Sequence, residues 1–218
     1  QLSCRSIFII RVRIFMKALL VFAHPRKESF THALVHRVTE ALVANGAEVT
    51  VRDLYKLGFD PVLRGEDTIH IENGKFVREA TSFPPDVQTE MDLIAESDLL
   101  VYIFPSWWNG MPAMMKGYVD RVFQHGFAYS FESDEPRKLF STKKAIFFTP
   151  TGQSQNADGS LKPLDQAMKF LTSDWLFNSN DAQVIDHVFY GRVPYLTSEE
   201  LENYLLDAEF RIQQLFNE

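Results

Sequence analysis

Two tryptophans stand side by side in the stretch Phe104-Pro105-Ser106-Trp107-Trp108-Asn109-Gly110-Met111-Pro112. An indole pair on a loop offers flat faces for stacking, and the loop backbone offers hydrogen bonds at the edge of whatever stacks there. A flat aromatic or heterocyclic ligand is the natural guest. Read structurally, the same indoles would simply pack beneath the loop. A second group of interest is His24-Pro25-Arg26-Lys27-Glu28-Ser29-Phe30-Thr31, with two hydroxyls where a helix should begin and three basic or titratable side chains nearby. Free N–H groups and the helix dipole attract phosphate at such a place. Ser29 as a plain N-cap is compatible with that reading. This loop has no glycine, so it is neither a P-loop nor a GxGxxG fingerprint. A third polar loop, Pro150 to Pro163, contains Thr151, Gly152 and Gln153.

Other chemistry finds less support. His32 and His36 have the i, i+4 spacing of a metal pair, with His24 close by, but no HExxH motif or cysteine ligand accompanies them. We therefore expect no metal. No G-x-S-x-G elbow is present, which argues against a serine hydrolase.

The elements that must position these groups follow from hydrophobic periodicity. Lys17–Phe22, Glu48–Asp53, Leu99–Phe104, Lys144–Thr149 and Ala182–Phe189 read as five strands. Helices are expected over Phe30 to about Ala44, ended by Asn45-Gly46, then over Asp86–Ser97, Pro112–Phe123 and Leu164–Phe177. A last helix follows the capping box Thr197-x-x-Glu200. Gly110 should permit the turn in the tryptophan loop, and Pro112 should open the next helix. Strands alternating with helices predict an α/β fold, with a parallel five-stranded open sheet and helices on both faces. The loops Ala23–Ser29, Pro105–Met111 and Pro150–Pro163 would then share the carboxyl edge of the sheet, where α/β proteins bind ligands. Leu54 to Pro85 is the least regular section and is long enough to fold over a site or a partner.

The 218 residues fit one core. A net charge of −7 argues against nucleic acid and against anionic lipid surfaces. The one cysteine, Cys4, permits no intrachain disulfide, and no apolar stretch is long enough to span a membrane. Residues 1–15 mix Arg5, Arg11 and Arg13 with apolar residues. The arginines interrupt the apolar run and no small-residue cleavage site follows, so a secretory signal is not expected and a cytoplasmic location is. We read 1–15 as an extension of doubtful origin upstream of a start at Met16, and 16–218 as one domain. The alternative is an extra edge strand. The aromatic run Phe123, Phe127, Tyr129 and Phe131 is apolar enough to predict a homodimer.

With these loops in place, the chain resembles the NAD(P)H:quinone oxidoreductase family of flavodoxin-like flavoproteins. The matching residues are Leu19-Leu20-Val21-Phe22-Ala23-His24-Pro25, Ser29-Phe30, Phe104 through Ala113, Lys116 through Phe123, and Gly126-Phe127-Ala128-Tyr129. The resemblance implies FAD, or FMN in some branches, bound at a dimer interface, with two electrons passing from NAD(P)H to a quinone. It implies that His24, Ser29, Phe30 and Thr31 hold the phosphate and ribityl portion. Pro105, Ser106, Trp107 and Trp108 would line the isoalloxazine edge, and Pro150, Thr151, Gly152 and Gln153 its pyrimidine end. Trp108, with Tyr129 and Phe131 from the partner subunit, would bound the substrate pocket. The best-known branch reads Thr-Thr-Gly-Gly after the fourth strand, followed by a Tyr and a His. Here Pro150-Thr151-Gly152-Gln153 is followed by neither before His187. The backbone N–H groups of Gly152 and Gln153 are then the expected catalytic donors to charge at the flavin's N1–O2 end. Some relatives are ancillary subunits of potassium-efflux systems, so a regulatory flavin-binding role beside a membrane transporter is the alternative. An electron-carrier flavodoxin would need a Ser/Thr-Gly-Thr phosphate loop, which is missing.

Overall fold

A computed structural model describes residues 16–78, 80, 82–129, 139–178 and 181–217. The chain runs β1 (Lys17–Phe22), α1 (Phe30–Ala44), β2 (Glu48–Asp53), β3 (Ile69–Glu72), β4 (Lys75–Arg78), α2 (Pro85–Glu96), β5 (Leu99–Ile103), α3 (Ala113–Val122), β6 (Lys144–Pro150), α4 (Pro163–Lys169), β7 (Gln183–Tyr190) and α5 (Ser198–Gln214). Five strands form one parallel sheet in the order β2-β1-β5-β6-β7. The order reverses direction between β1 and β5, and that switch point is where a crevice opens in a doubly wound sheet. The expected fold class is the one observed.

Strand alternation divides the core in two. In β5, Leu100 and Tyr102 face one layer while Leu99, Val101 and Ile103 face the other. The first layer takes Val87, Met91 and Ile94 from α2 and Met115, Tyr118 and Val122 from α3. The second takes Leu34, Val38 and Leu42 from α1 and Ala208 and Ile212 from α5. Continuous burial of β5 on both faces is why it reads as an unbroken apolar run.

Three expectations need correction. The stretch 54–85 holds an antiparallel hairpin, β3 with β4, about the Asn73-Gly74 turn with φ of 50° and 77°. Two positive φ values are what a two-residue primed turn requires, and Asn-Gly supplies them. The hairpin is a sheet of its own. The helix expected over 164–177 is α4 followed by a π-turn, Phe170–Asp174. Finally, Phe123 and Phe127 are partly buried against the core, their rings 5.4 and 6.5 Å from Phe140. They pack on the core and are only partly exposed, so the run leaves less apolar surface for a dimer than its composition suggested. Residues 1–15 and Phe131 lie outside the described residues.

Candidate functional site

Parallel pairing brings three loops to one edge. The ladder runs past the strands themselves: the Ala23 N–H donates to Ile103 O, Phe104 N–H to Phe148 O and Ser106 N–H to Pro150 O. Hence the chain leaving β1, β5 and β6 stays together for another residue or two before diverging. Between the diverging loops lies a cleft of about 410 Å³, a size suited to an organic cofactor. His24, Arg26, Glu28, Ser29, Phe30 and Thr31 line it from the first loop, Pro105, Ser106 and Trp107 from the second, and Pro150, Thr151 and Gly152 from the third. The remaining wall, Val193, Pro194 and Leu201, comes from the turn after β7 and the start of α5. That fourth contribution was not anticipated. Its signal was available, because β7 is parallel to the other strands and must end at the same edge.

Ten of the residues expected to hold a ligand therefore meet in one place. Trp108, Gln153 and Tyr129 are not among the lining residues. Trp108 is fully exposed with φ 52°. It and Asn109 (φ 57°) form a two-residue turn closed by paired backbone bonds between Trp107 and Gly110, at 3.1 and 3.2 Å. The left-handed residues of this turn are thus Trp108 and Asn109, where Gly110 was expected to provide the freedom. The Gln153 N–H donates to Thr151 Oγ1 at 3.2 Å, and its side-chain amide donates to Asn109 Oδ1. Gln153 so ties the third loop to the tryptophan turn. Its carbonyl accepts the Arg192 N–H at 2.8 Å, while Thr151 O accepts Val193 N–H at 3.1 Å. A Cβ on Gly191 would stand 2.7 Å from Gln153 O, so only glycine allows this approach. Tyr129 sits beside His125, ring centroids 5.6 Å apart.

At the other end of the cleft Ser29 caps α1, its Oγ accepting the His32 N–H at 3.3 Å. The Phe30 and Thr31 N–H groups of the first turn have no intrahelical acceptor, which leaves them available to an anion. The His24 Nδ1 lies 3.1 Å from the Arg26 N and 3.2 Å from the Arg26 carbonyl oxygen, accepting from the first when bare and donating to the second when protonated. Burial is the main cause holding the His24 pKa below its ordinary value; its contact with the Arg26 carbonyl acts in the opposite direction. The His24 ring meets Trp107 edge to face at 5.6 Å. The cleft is therefore apolar and aromatic along its walls, with anion donors at one end. A flavin, with a flat heterocycle joined to phosphate, fits that donor set. Among the described residues no group of three or more His, Cys, Asp or Glu could hold a metal, and no helix is long and apolar enough to cross a membrane.

This switch-point cleft in a five-stranded parallel sheet defines a flavodoxin-like protein, and the model of that fold family matches residues 16–208. An uncharacterised NAD(P)H oxidoreductase of Haemophilus influenzae is 33% identical over 179 residues, covering 82% of this chain and 85% of that one. NAD(P)H dehydrogenase [quinone] 1 of Cavia porcellus is 37% identical over 150 residues, or 64% of this chain, and the match spans 54% of that relative's length. Among solved structures, the NAD(P)H:quinone oxidoreductase from Methanothermobacter marburgensis superposes with a TM-score of 0.77 at 25% identity, covering 92% of this chain and 97% of that one. The chain belongs to the NAD(P)H:quinone oxidoreductase family and is an oxidoreductase.

Proposed function

We propose that this protein is a flavin-dependent reductase that passes two electrons from NAD(P)H to a quinone or similar acceptor, with FAD resident in the cleft. The carrying observation is the shape and lining of that cleft. One cleft brings together Trp107 and Pro105, the donor end of α1, and Thr151 and Gly152, with Val193 bonded to Thr151 and Pro194 beside Gly152. The choice of FAD over FMN follows the family resemblance, and FMN is the alternative. When bound, the flavin supplies hydride acceptance and release, chemistry that no side chain here provides.

The chain's own residues bind and orient. Ser29, Phe30 and Thr31, with His24, would hold the phosphate portion, and the Pro105–Trp107 backbone would border the ring system. Thr151 and Gly152 would meet its pyrimidine end. The Gly152 N–H is the better candidate to stabilise negative charge there, because the Gln153 N–H already serves Thr151 Oγ1. Trp108, fully exposed beside the slot, would contact nicotinamide and quinone in turn; one shared face implies ping-pong kinetics. Tyr129 and Phe131 would complete that face in a partner subunit. A homodimer in the cytoplasm is part of this reading.

The test is direct. Purified protein should carry flavin absorbance, and mass spectrometry of the released cofactor should give the mass of FAD. NAD(P)H should bleach that absorbance anaerobically and a benzoquinone should restore it. A chain that binds no flavin after incubation with FAD overturns the proposal. Bound flavin with no turnover on any quinone, together with retention of a membrane transporter in pull-down, points instead to an ancillary subunit.

A further inference from the structure

Trp108 and Asn109 occupy the tip of the tryptophan turn, and both are exposed. The backbone bonds between Trp107 and Gly110 shape the turn. They do not decide how it leans relative to the other walls of the cleft. Two side-chain contacts bear on that. On one side the Trp107 ring meets His24 of the first loop at 5.6 Å. On the other the Gln153 side-chain amide donates to Asn109 Oδ1.

The Gln153 end of that bridge is anchored. Its N–H donates to Thr151 Oγ1 at 3.2 Å and its carbonyl accepts the Arg192 N–H at 2.8 Å. A Cβ on Gly191 would stand 2.7 Å from the same carbonyl, so the two backbones touch. Two residues on, the Gln155 side chain donates to Phe189 O at 2.8 Å, which holds the loop to β7 a second time. The third loop is thus fixed to the sheet at Gln153, whereas Asn109 sits on a turn that projects from it. A bond between a fixed point and a projecting turn restrains the turn. Trp108 and Asn109 are adjacent in a two-residue turn with φ of 52° and 57°, so a hold on Asn109 is also a hold on Trp108.

We propose that Gln153 is a positioning residue whose side chain, through Asn109, holds Trp108 where the electron donor and the acceptor meet it. This inference rests on the reading of Trp108 as the face shared by nicotinamide and quinone. Orientation of that face converts directly into rate, because hydride transfer needs the reacting atoms aligned. The backbone of Gln153 fixes the loop and its side chain fixes the turn, so the two roles can be separated by substitution. Gln153→Ala keeps the N–H, the carbonyl and their partners and removes only the bridge.

Two measurements test this. The first needs no turnover. In the purified full chain, NMR relaxation of the Asn109 and Gly110 backbone amides and of the Trp108 indole N–H should show added picosecond-to-nanosecond motion in Gln153→Ala. Asn109→Gly keeps the turn and loses the acceptor, so it should move in the same way. Asn109→Asp keeps an acceptor and tolerates the left-handed φ, so it should stay at wild type. The second measurement is stopped-flow on flavin-loaded protein. Gln153→Ala should slow bleaching by saturating NAD(P)H and re-oxidation by a benzoquinone about fivefold each, the worth of one neutral hydrogen bond. In a Trp108→Ala background the same substitution should change neither rate, because a residue that acts through Trp108 then has nothing to act on. Unaltered relaxation at the turn overturns the proposal. So do unaltered rates in flavin-loaded Gln153→Ala, or a fivefold loss that persists without Trp108. None of these three results touches the flavin reading. A chain that takes up neither FAD nor FMN overturns that reading, and this inference with it.

Discussion

Trp108 combines a left-handed φ of 52° with complete exposure of its side chain. Neither state favours folding. A bulky L-residue in this region costs roughly 1–2 kcal/mol, and an exposed indole recovers nothing by burial. Asn109 suits its place in the turn, because asparagine tolerates positive φ; tryptophan does not. Strain held at the lip of a cleft points to a role for the side chain. Trp108→Gly should therefore stabilise the flavin-free chain by about 1 kcal/mol, raising its melting temperature by about 2–4 °C in a protein of this size. The same change should sharply reduce quinone turnover in the flavin-loaded form. A lower melting temperature would show that the indole is packed, and unchanged turnover would remove it from the substrate face. The pair Trp107-Trp108 was visible in the sequence as a candidate ligand contact, but the division of labour was not. Which indole faces the slot depends on the hand of a two-residue turn, and Gly110 drew attention away from the two residues that make it.

At the scale of elements, two joints hold the site's supports. The first is where α3 crosses the chain before the hairpin. A Cβ on Gly117 would lie 2.1 Å from Pro61 O, so helix and loop touch backbone to backbone. Close by, Arg121 donates to Asp67 Oδ2 and to Asp60 O, each at 2.9 Å, and pairs with Asp86. Gly117→Ala improves helix propensity but should still destabilise by about 1–3 kcal/mol, the usual cost of overpacking, read as an earlier urea midpoint at unchanged slope. An unchanged midpoint would mean the loop yields freely. The second joint is His187 of β7, which bonds Thr149 Oγ1 of β6 at 2.9 Å and Ser173 Oγ of the π-turn at 3.0 Å. Burial is the main cause holding its pKa well below the ordinary 6.5, with Lys169 adding to it. The native ring is neutral while the unfolded one gains a proton below pH 6.5, so the unfolded state binds more protons and stability falls with acidification. From pH 6.5 to 5 the wild type should lose up to about 1.4 kcal/mol per pH unit from this group. His187→Gln should show a shallower acid limb in the same melts, and an equal limb would assign the loss to other groups. The main strands were legible because burial on two faces writes unbroken apolar runs. The hairpin was not, because its strands are four residues long and neither has a fully buried residue. There the Asn73-Gly74 dipeptide is the one strong signal of a hairpin. The π-turn left no mark in the periodicity of Leu164–Phe177.

For the whole molecule, β1 starts at Lys17, and Met16 O already accepts the Glu48 N–H at 2.9 Å. A chain beginning at Met16 should therefore keep its flavin content and melting temperature; loss of folding would show residues 1–15 to be a genuine strand. A second apolar surface, outside the aromatic run from which a dimer was expected, lies between Leu164 and Trp175. Leu164 of α4 and Phe170, Leu171 and Trp175 in and beside the π-turn are all more than half exposed, and the rings of Phe170 and Trp175 lie 6.3 Å apart. A monomer seldom leaves several large apolar side chains together on one short segment. A two-fold dimer that covers this face would also set a partner's Tyr129 against the cleft only if the two surfaces are close enough to be shared, which makes association and turnover separable observables. Sedimentation at micromolar concentration should give a dimer. Leu171→Glu with Trp175→Glu should give a monomer whose far-ultraviolet circular dichroism is unchanged, because neither side chain is in the core. If that monomer also loses quinone turnover while retaining flavin, the partner completes the substrate face. A double variant that remains dimeric would place the interface elsewhere, and a wild-type monomer that turns over quinone at full rate would end the dimer reading altogether.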